Sequence, residues 1–187
     1  MVKRVSALAG HYHPGPLGTS ADVGITLGEI RDLELWQMAA WPETLAAVGT
    51  LAAETIGVDD MPAPGQAVTE SGAAVLRIEP LKFWLIGATA PELNTDQGAI
   101  VELSHSRTHL RLFGPQAATL LNRHLPLDLR EPSFPVGAVA SSAIDHVGVT
   151  LWRSQVGYDL FIPRGFALSL WQVLLLGAAQ FGAMVTE

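Results

Sequence analysis

Residues 101–126 read VELSHSRTHLRLFGPQAATLLNRHLP, and this stretch decides the fold. The segment THLRLFG alternates apolar and polar side chains, which predicts a strand with one face in the core. Gly114 and Pro115 then interrupt the alternation, and QAATLLNRHL behind them predicts a helix whose first turn tolerates proline. The stretch therefore predicts a strand, a tight turn and a helix, with basic side chains along the strand.

The same order of elements occurs earlier in the chain. The strand LELW is followed by Pro42 and the helix ETLAAVGTLAAETIG, whose apolar stripe ends at Gly57. A loop then leads to the strands AVLRIEP and KFWLIG. After residue 126 a proline-rich loop leads to the strands VGVTLWR and YDLFIP and to a last helix at about 166–181. Four landmarks recur with an offset of 72 to 76 residues, namely Pro42 and Pro115, Gly65 and Gly137, Arg77 and Arg153, and Ile86 and Ile162.

This recurrence predicts an α+β fold made of two ferredoxin-like strand-helix-strand-strand halves with antiparallel sheets, a split-βαβ type of unit used twice. We expect residues 1–24, rich in Gly, Pro and Ser, to form an irregular N-terminal arm. Residues 25–187 would form a single domain with halves at about 25–98 and 99–187. The alternative is that any α+β chain offers such landmarks by chance.

Composition limits the classes of function. The chain has 187 residues, and its net charge of −7 argues against a nucleic-acid partner. It has no cysteine, which excludes disulfides and thiolate metal sites and is compatible with the cytoplasm, where we expect the protein. The start, residues 1–4, is basic but has no apolar run of signal-peptide length behind it. Only 16% of residues are charged and mean hydropathy is +0.30, which predicts an apolar surface covered by a partner or a membrane.

Residues 165–185 form an uncharged stretch that is long enough to span a bilayer. Ser169, Gln172, Gln180 and several glycines interrupt its apolar character, and no Lys or Arg follows to set an orientation. We therefore predict a helix buried on several sides, and no membrane contact.

The basic strand is the main candidate for a binding site. Alternate residues of one strand project to one side, while Leu110 and Leu112 face the core. Such a stripe could hold a carboxylate or phosphate, or it could neutralise acidic residues of a partner or of this chain. The stripe consists of His105, Arg107, His109 and Arg111, with the hydroxyls of Ser104, Ser106 and Thr108 between them.

Three smaller features have a functional and a structural interpretation. His11 and His13 could begin a metal site, but two ligands in a Gly-Pro-rich arm favour exposed, inert side chains. Ser141, Asp145 and His146, with Ser142, could be catalytic, or they could belong to a loop. Trp36, Trp84, Trp152 and Trp171 suit the core, whereas Trp41 at a helix start is the tryptophan most suited to face a partner. No G-x-S-x-G, G-x-G-x-x-G or P-loop motif occurs.

Residues from about 99 to 182 resemble the gamma subunit of heterotetrameric sarcosine oxidase. The resemblance rests on LSHSR at 103–107, LDL at 127–129, FPVG at 134–137 and RGFA at 164–167. That family is similar in fold to the folate-binding region of glycine-cleavage aminomethyltransferase, which agrees with the internal repeat.

The resemblance implies a complex of alpha, beta, gamma and delta subunits that oxidises sarcosine to glycine and hydrogen peroxide. Tetrahydrofolate, when present, would accept the one-carbon unit as 5,10-methylenetetrahydrofolate. FAD, FMN, NAD and the folate site would belong to the large subunits, and this chain would carry no catalytic residue and no metal. Ser104, His105 and Arg107 would then be candidate contacts at a subunit interface or to an anion. Arg107 and His105 could fix that interface or form an internal hydrogen-bond network, or they could reach toward a cofactor at a shared boundary.

A second function stays open at this point. The chain could be a free-standing folate-binding or one-carbon-transfer protein of the aminomethyltransferase kind. That enzyme is longer and has an additional C-terminal domain, so length favours the subunit.

Overall fold

A computed structural model describes residues 5–19 and 22–186 of the chain. Within them the strands are β1 (Gly15–Leu17), β2 (Ile25–Ile30), β3 (Leu35–Ala40), β4 (Ala67–Glu70), β5 (Ala73–Glu79), β6 (Lys82–Ile86), β7 (Gly98–Glu102), β8 (Arg107–Phe113), β9 (Val139–Ile144), β10 (Val147–Arg153), β11 (Tyr158–Pro163) and β12 (Ala183–Val185). The α-helices are α1 (Leu45–Glu54), α2 (Ala117–Leu121) and α3 (Ala167–Ala178), and 3₁₀ turns cover Pro42–Thr44, Arg164–Phe166 and Ala179–Phe181.

The chain divides into two compact units. Unit 1 is built from the described parts of residues 1–31, 106–136 and 141–187, and unit 2 from residues 32–105 and 137–140. This differs from the predicted consecutive halves, because β2 pairs with β8 and β7 pairs with β3. The predicted N-terminal arm also differs from expectation, since it contains β1, which pairs with β12. The basic start at residues 1–4 lies outside the described residues.

Unit 2 is an antiparallel sheet with one helix. Its described strands are ordered β4-β5-β6-β3-β7, and α1 contacts β3 and β6. The buried cluster that joins sheet and helix includes Met38, Val48 and Phe83, each 0% exposed. The helix α1 ends at Glu54, and the turn that follows it closes at the predicted Gly57, whose φ of +81° is a left-handed conformation that glycine adopts without strain.

Unit 1 is a larger sheet with α2 and α3. Its described strands are ordered β1-β12-β2-β8-β11-β10-β9, and β12 runs parallel to β2 whereas the other pairs given for this sheet are antiparallel. Leu110 and Leu112 of the central strand β8 are buried, as the alternation predicted. Gly177 lets the two helices approach closely, because a Cβ there would lie 2.5 Å from Leu120 Cδ1.

The two units repeat one topology. The order β4-β5-β6-β3 in unit 2 corresponds to β9-β10-β11-β8 in unit 1, with α1 and α2 in equivalent places of the chain. The hairpins β4–β5 and β9–β10 turn through residue pairs that both have positive φ, Ser71–Gly72 and Asp145–His146, the requirement of a type I′ turn. The predicted α+β fold with a repeated strand-helix-strand-strand motif is therefore confirmed, with an additional strand after each helix.

The apolar stretch at 165–185 folds as α3, a short turn and β12 rather than as one long helix. Six residues of α3 are buried, while Ser169, Gln172 and Leu176 are exposed. None of the helices in the described part of the chain has the length and apolar character needed to cross a membrane.

Candidate functional site

The structure places the three predicted contact residues in different settings. Ser104 is buried, and its Oγ accepts a hydrogen bond of 3.0 Å from the N–H of Leu35 at the start of β3. His105 is exposed in the turn that follows β7. Both residues belong to unit 2, whereas Arg107 is the first residue of β8 in unit 1.

Arg107 is half-buried. Its Nη1 donates to the carbonyl oxygen of Ser106 at 3.2 Å and lies 3.4 Å from the Ser106 hydroxyl. Burial lowers the pKa of its guanidinium from the ordinary value. The guanidinium of Arg107 is therefore partly removed from water and held near the backbone by its bonds to Ser106.

The predicted stripe of alternate basic residues is broken at its first member. Residues 104–106 form a turn, and the strand begins at Arg107, so His105 is not part of the strand face. The hydroxyl of Ser104 bonds to Leu35, a tertiary contact that fixes the chain at this turn. Arg107, His109 and Arg111 keep the predicted alternation along β8.

A buried ionic cluster lies at the centre of the unit 1 sheet. Antiparallel register sets Asp159 of β11 opposite Arg111 of β8 and sets Phe161 opposite His109. One oxygen, Oδ1 of Asp159, accepts from His109 Nε2 at 2.6 Å, from Arg111 Nε at 2.9 Å and from Arg111 Nη2 at 2.8 Å. The His109 ring also stacks on Phe161 with ring centroids 4.4 Å apart.

The electrostatics of this cluster favour an ionised carboxylate. The side chains of Asp159 and His109 are 0% and 4% exposed, and that of Arg111 is 27% exposed. Burial pushes the pKa of Asp159 upward. The hydrogen bond and charge of His109, a hydrogen bond from Ser154 and the charge of Arg111 together outweigh burial and leave this pKa below the ordinary value. Asp159 is therefore a buried anion whose charge is balanced by β8.

The cluster is arranged to join strands. An aspartate with 0% exposure is not accessible to a ligand from solvent, and its bonds connect the two central strands of the sheet. No role of Asp159 was predicted from the sequence. The available signal was a carboxylate inside the otherwise apolar segment YDLFIP, because a buried charge requires a partner.

Unit 1 also has a shallow cavity of about 230 Å³ next to the Gly114–Pro115 turn, lined in part by Phe113, Arg153 and Tyr158. The Arg153 guanidinium lies 4.4 Å from the centre of the Tyr158 ring, so an aromatic face already contacts the cation. Pockets for small molecules usually measure about 300–1,000 Å³. This cavity is below that range and offers a weak case for a ligand site.

The structure also describes the candidate metal pair, His11 and His13, and the candidate catalytic group at residues 141–146. His11 and His13 are both exposed, and no group of three or more His, Cys, Asp or Glu side chains suited to a metal occurs among the residues that the structure describes. Asp145 and His146 are the central residues of the β9–β10 hairpin, with φ values of +46° and +67°. Ser141 and Ser142 lie in β9, the strand that leads into this turn.

Most of the tryptophans predicted for the core are buried. Trp84, Trp152 and Trp171 are buried, and Trp36 is partly buried. Trp41 is 44% exposed, and its Nε1 donates to the carbonyl oxygen of Thr95 at 3.0 Å. Trp41 is thus an exposed aromatic ring whose orientation is fixed by a hydrogen bond.

Comparison with proteins of known structure shows where this fold occurs. The heterotetrameric sarcosine oxidase from Corynebacterium sp. U-96, in complex with pyrrole 2-carboxylate, contains a chain that matches with a TM-score of 0.79 and 24% identity, over 95% of this chain and 96% of that one. Glycine cleavage system aminomethyltransferase T from Bartonella henselae matches with a TM-score of 0.60 and 18% identity, over 88% of this chain and 48% of that one. The fold resemblance to both proteins is confirmed.

Comparison of sequences gives the family. The gamma subunit of sarcosine oxidase from Arthrobacter sp. is 31% identical over 122 residues, which cover 65% of this chain and 60% of the relative. The gamma subunit from Corynebacterium sp. strain U-96 is 31% identical over 149 residues, covering 75% of this chain and 72% of the relative. The matched region thus spans about three fifths to three quarters of these relatives. No family model matches the chain. On the strength of the longer alignment, this chain belongs to the family of sarcosine oxidase gamma subunits.

Proposed function

We propose that this chain is a non-catalytic assembly subunit of a heterotetrameric sarcosine oxidase, and that it binds the alpha, beta and delta chains of that complex. The observation that carries the proposal is the 31% identity over 149 residues to the gamma subunit from Corynebacterium sp. strain U-96. In this proposal the complex uses O2 to demethylate sarcosine oxidatively to glycine and hydrogen peroxide, and tetrahydrofolate, when present, accepts the one-carbon unit as 5,10-methylenetetrahydrofolate. FAD, FMN, NAD and tetrahydrofolate are bound by the larger chains, and the complex is cytoplasmic.

The roles of the charged and polar side chains support a structural function. Asp159 is fully buried and joins β8 to β11, while Ser104 anchors the start of β3. Arg107 bonds to its neighbour Ser106. These polar groups therefore form contacts within the chain that stabilise the fold. Such a role suits a structural subunit that binds partner chains.

The proposal is tested by purifying the complex through this chain. A C-terminally tagged copy, expressed from its own locus, is expected to bring down larger chains in fixed stoichiometry, with bound flavin visible by absorbance and with sarcosine-dependent peroxide formation. Deletion of the chain should lower the yield of assembled complex. Recovery of the tagged chain free of flavin and of sarcosine oxidase activity contradicts the proposal.

The alternative, a free-standing folate or one-carbon protein, rests on the fold shared with aminomethyltransferase T, of which this chain covers 48%. Ligand-induced stabilisation separates the two. A protein that binds tetrahydrofolate by itself gains about 2.7 kcal/mol of unfolding free energy at a hundred times its dissociation constant. For an assembly subunit we expect no such gain in the isolated chain.

A further inference from the structure

The strand β7 forms one edge of the unit 2 sheet, and its hydrogen-bonding groups can be assigned from the register. The N–H of Leu103 donates to Leu35 O at 2.8 Å, and the N–H of Trp41 donates to Gln97 O at 3.2 Å. Antiparallel partners alternate between bonded and non-bonded pairs. Ala99 and Val101 therefore direct their backbone groups toward β3, as positions 97 and 103 do.

Ile100 and Glu102 direct their backbone N–H and C=O groups away from β3. Among the residues that the structure describes, none forms a hydrogen bond with these outward groups. The opposite edge of the sheet differs, because the N–H of Ala67 at the start of β4 donates to Gly137 O at 2.8 Å. An open row of backbone donors and acceptors is complementary to one kind of occupant, which is another extended strand.

Natural sheets protect open edges with lysine, proline or a β-bulge. The sequence of β7, GAIVE, has no lysine and no proline, and its pairing with β3 proceeds without a register shift. Its acidic residue, Glu102, stands at the end of the strand. The edge is therefore well suited to pairing with another chain.

The side chains beside this edge form an apolar contact surface. Residues directly opposite each other in a sheet share a face, so Val101 and Ala99 lie on the face of β3 that continues to Trp41. Val101 is 48% exposed, Ala99 is exposed, and Trp41 is the exposed ring held by Thr95. A rigid exposed tryptophan beside an apolar strand is typical of an anchor at a protein interface.

The negative charge of unit 2 limits which kind of strand could pair with β7. Residues 32–105 contain eleven Asp and Glu against two Lys and Arg, a formal charge of −9. The two basic residues are already engaged, since Arg77 is buried against backbone carbonyls and Lys82 pairs with Glu79 at 2.8 Å. The exposed carboxylates nearest to β7 in the sequence are Glu92, Asp96 and Glu102. A second copy of this chain would bring the same negative charge, whereas a basic segment would be attracted.

We propose that β7 accepts an extended, positively charged segment of a partner subunit as an additional β-strand. The outward groups of Ile100 and Glu102 bond to the incoming backbone, and Trp41 and Val101 pack against its side chains. This inference rests on the proposed function, because it assigns the surface through which an assembly subunit binds a larger chain.

Amide hydrogen exchange on the wild-type chain, free and in the purified complex, tests the proposal directly. The amides of Ile100 and Glu102 are expected to exchange quickly in the free chain and about 10-fold or more slowly in the complex, since strand addition gives each a partner. The amides of Ala99 and Val101, which already bond to β3, should change less.

Two variants at position 102 separate the contribution of the Glu102 backbone N–H from that of its side chain. Glu102→Pro removes the outward N–H and places a ring on the outer edge, while the bonds of Val101 to β3 stay in place. Glu102→Ala removes the same carboxylate and keeps the N–H. We expect Glu102→Pro to bind the partner chains about 10- to 100-fold more weakly than Glu102→Ala. Thermal unfolding of both free variants checks the fold, and the exchange experiment needs no variant.

Three results would overturn the inference in distinguishable ways. If the complex forms and the amides of Ile100 and Glu102 stay unprotected, the assembly function holds, but the edge of β7 does not bind the partner chain. If these amides become protected in the free chain as its concentration rises, the occupant is a second copy. If no flavin-containing complex forms, the proposed function has failed and this inference fails with it.

Discussion

Replacing Asp159 by asparagine is expected to destabilise the chain, because it leaves the partly buried guanidinium of Arg111 without its counter-charge and takes the charged acceptor away from His109. The wild-type carboxylate accepts from His109 and from two nitrogens of Arg111, within 2.6–2.9 Å. Removing one partner of a buried ion pair costs about 3–5 kcal/mol. Arg111 keeps 27% of its side-chain exposure, so water relieves part of that cost and we expect a loss of about 2–4 kcal/mol.

The assay is urea unfolding of the isolated chain followed by tryptophan fluorescence, with thermal unfolding as a second measurement. A loss of about 3 kcal/mol corresponds to a Tm lower by about 6–12 °C for a chain of this size. Asp145→Asn is the matched control, because Asp145 is exposed in a hairpin at φ +46°, where asparagine is tolerated. It should change stability by less than about 0.5 kcal/mol. The reasoning is refuted if Asp159→Asn is no less stable than this control.

The same substitution predicts a pH dependence. Because burial is outweighed by His109 and Arg111, the pKa of Asp159 in the folded chain lies below the ordinary 3.8. A lowered carboxyl pKa adds stability that is fully present above the unfolded value and is lost as pH falls through the folded one. The stability that the Asp159 carboxylate adds over asparagine should therefore be present at about pH 5 and should shrink as pH falls below about 4. An unfolding difference that grows as pH falls below about 4 would contradict an ionised Asp159.

Three further predictions concern unit 2 and the rival function. Ser104→Ala should cost about 1–3 kcal/mol in urea unfolding, because it leaves the Leu35 N–H without its acceptor, whereas Ser169→Ala on the exposed face of α3 should be nearly neutral. Phe83→Ala should cost about 3–5 kcal/mol, since the ring is 0% exposed in the cluster between sheet and helix; a loss below about 1 kcal/mol would show that the cluster is loosely packed. Tetrahydrofolate should leave the Tm of the isolated chain unchanged, and a saturable increase would instead favour a free-standing folate protein.

The long strands could be predicted because apolar residues are concentrated in them over enough consecutive positions. The segments that became β5, β6, β10 and β11 each place several Val, Ile, Leu or aromatic residues in five to seven positions. The strands β4 and β9, AVTE and VASSAI, have few large apolar residues and several half-exposed positions, so nothing in their sequence separates them from loops. Pairing with a neighbour makes them strands.

The candidate site was predicted in part for a similar reason. Alternation placed His109 and Arg111 on one face, and that placement depends on local geometry. Their partner Asp159 lies about 50 residues further on, and its position opposite Arg111 depends on the register between β8 and β11. A shift by one residue would send Asp159 to the other face, and no local pattern determines that register.

The two units share one topology and differ at the fifth strand of each sheet. In unit 1 the position after β8 is filled by β2, and β12 and β1 extend the described sheet beyond it. In unit 2 the equivalent position is filled by β7, and no further described strand follows. In unit 1 the outer side of β2 is thus paired with a strand of the same chain. In unit 2 the corresponding hydrogen-bonding groups of β7 have no described strand beside them. The comparison of the two repeats therefore gives a second reason, independent of charge, to expect a partner strand at β7.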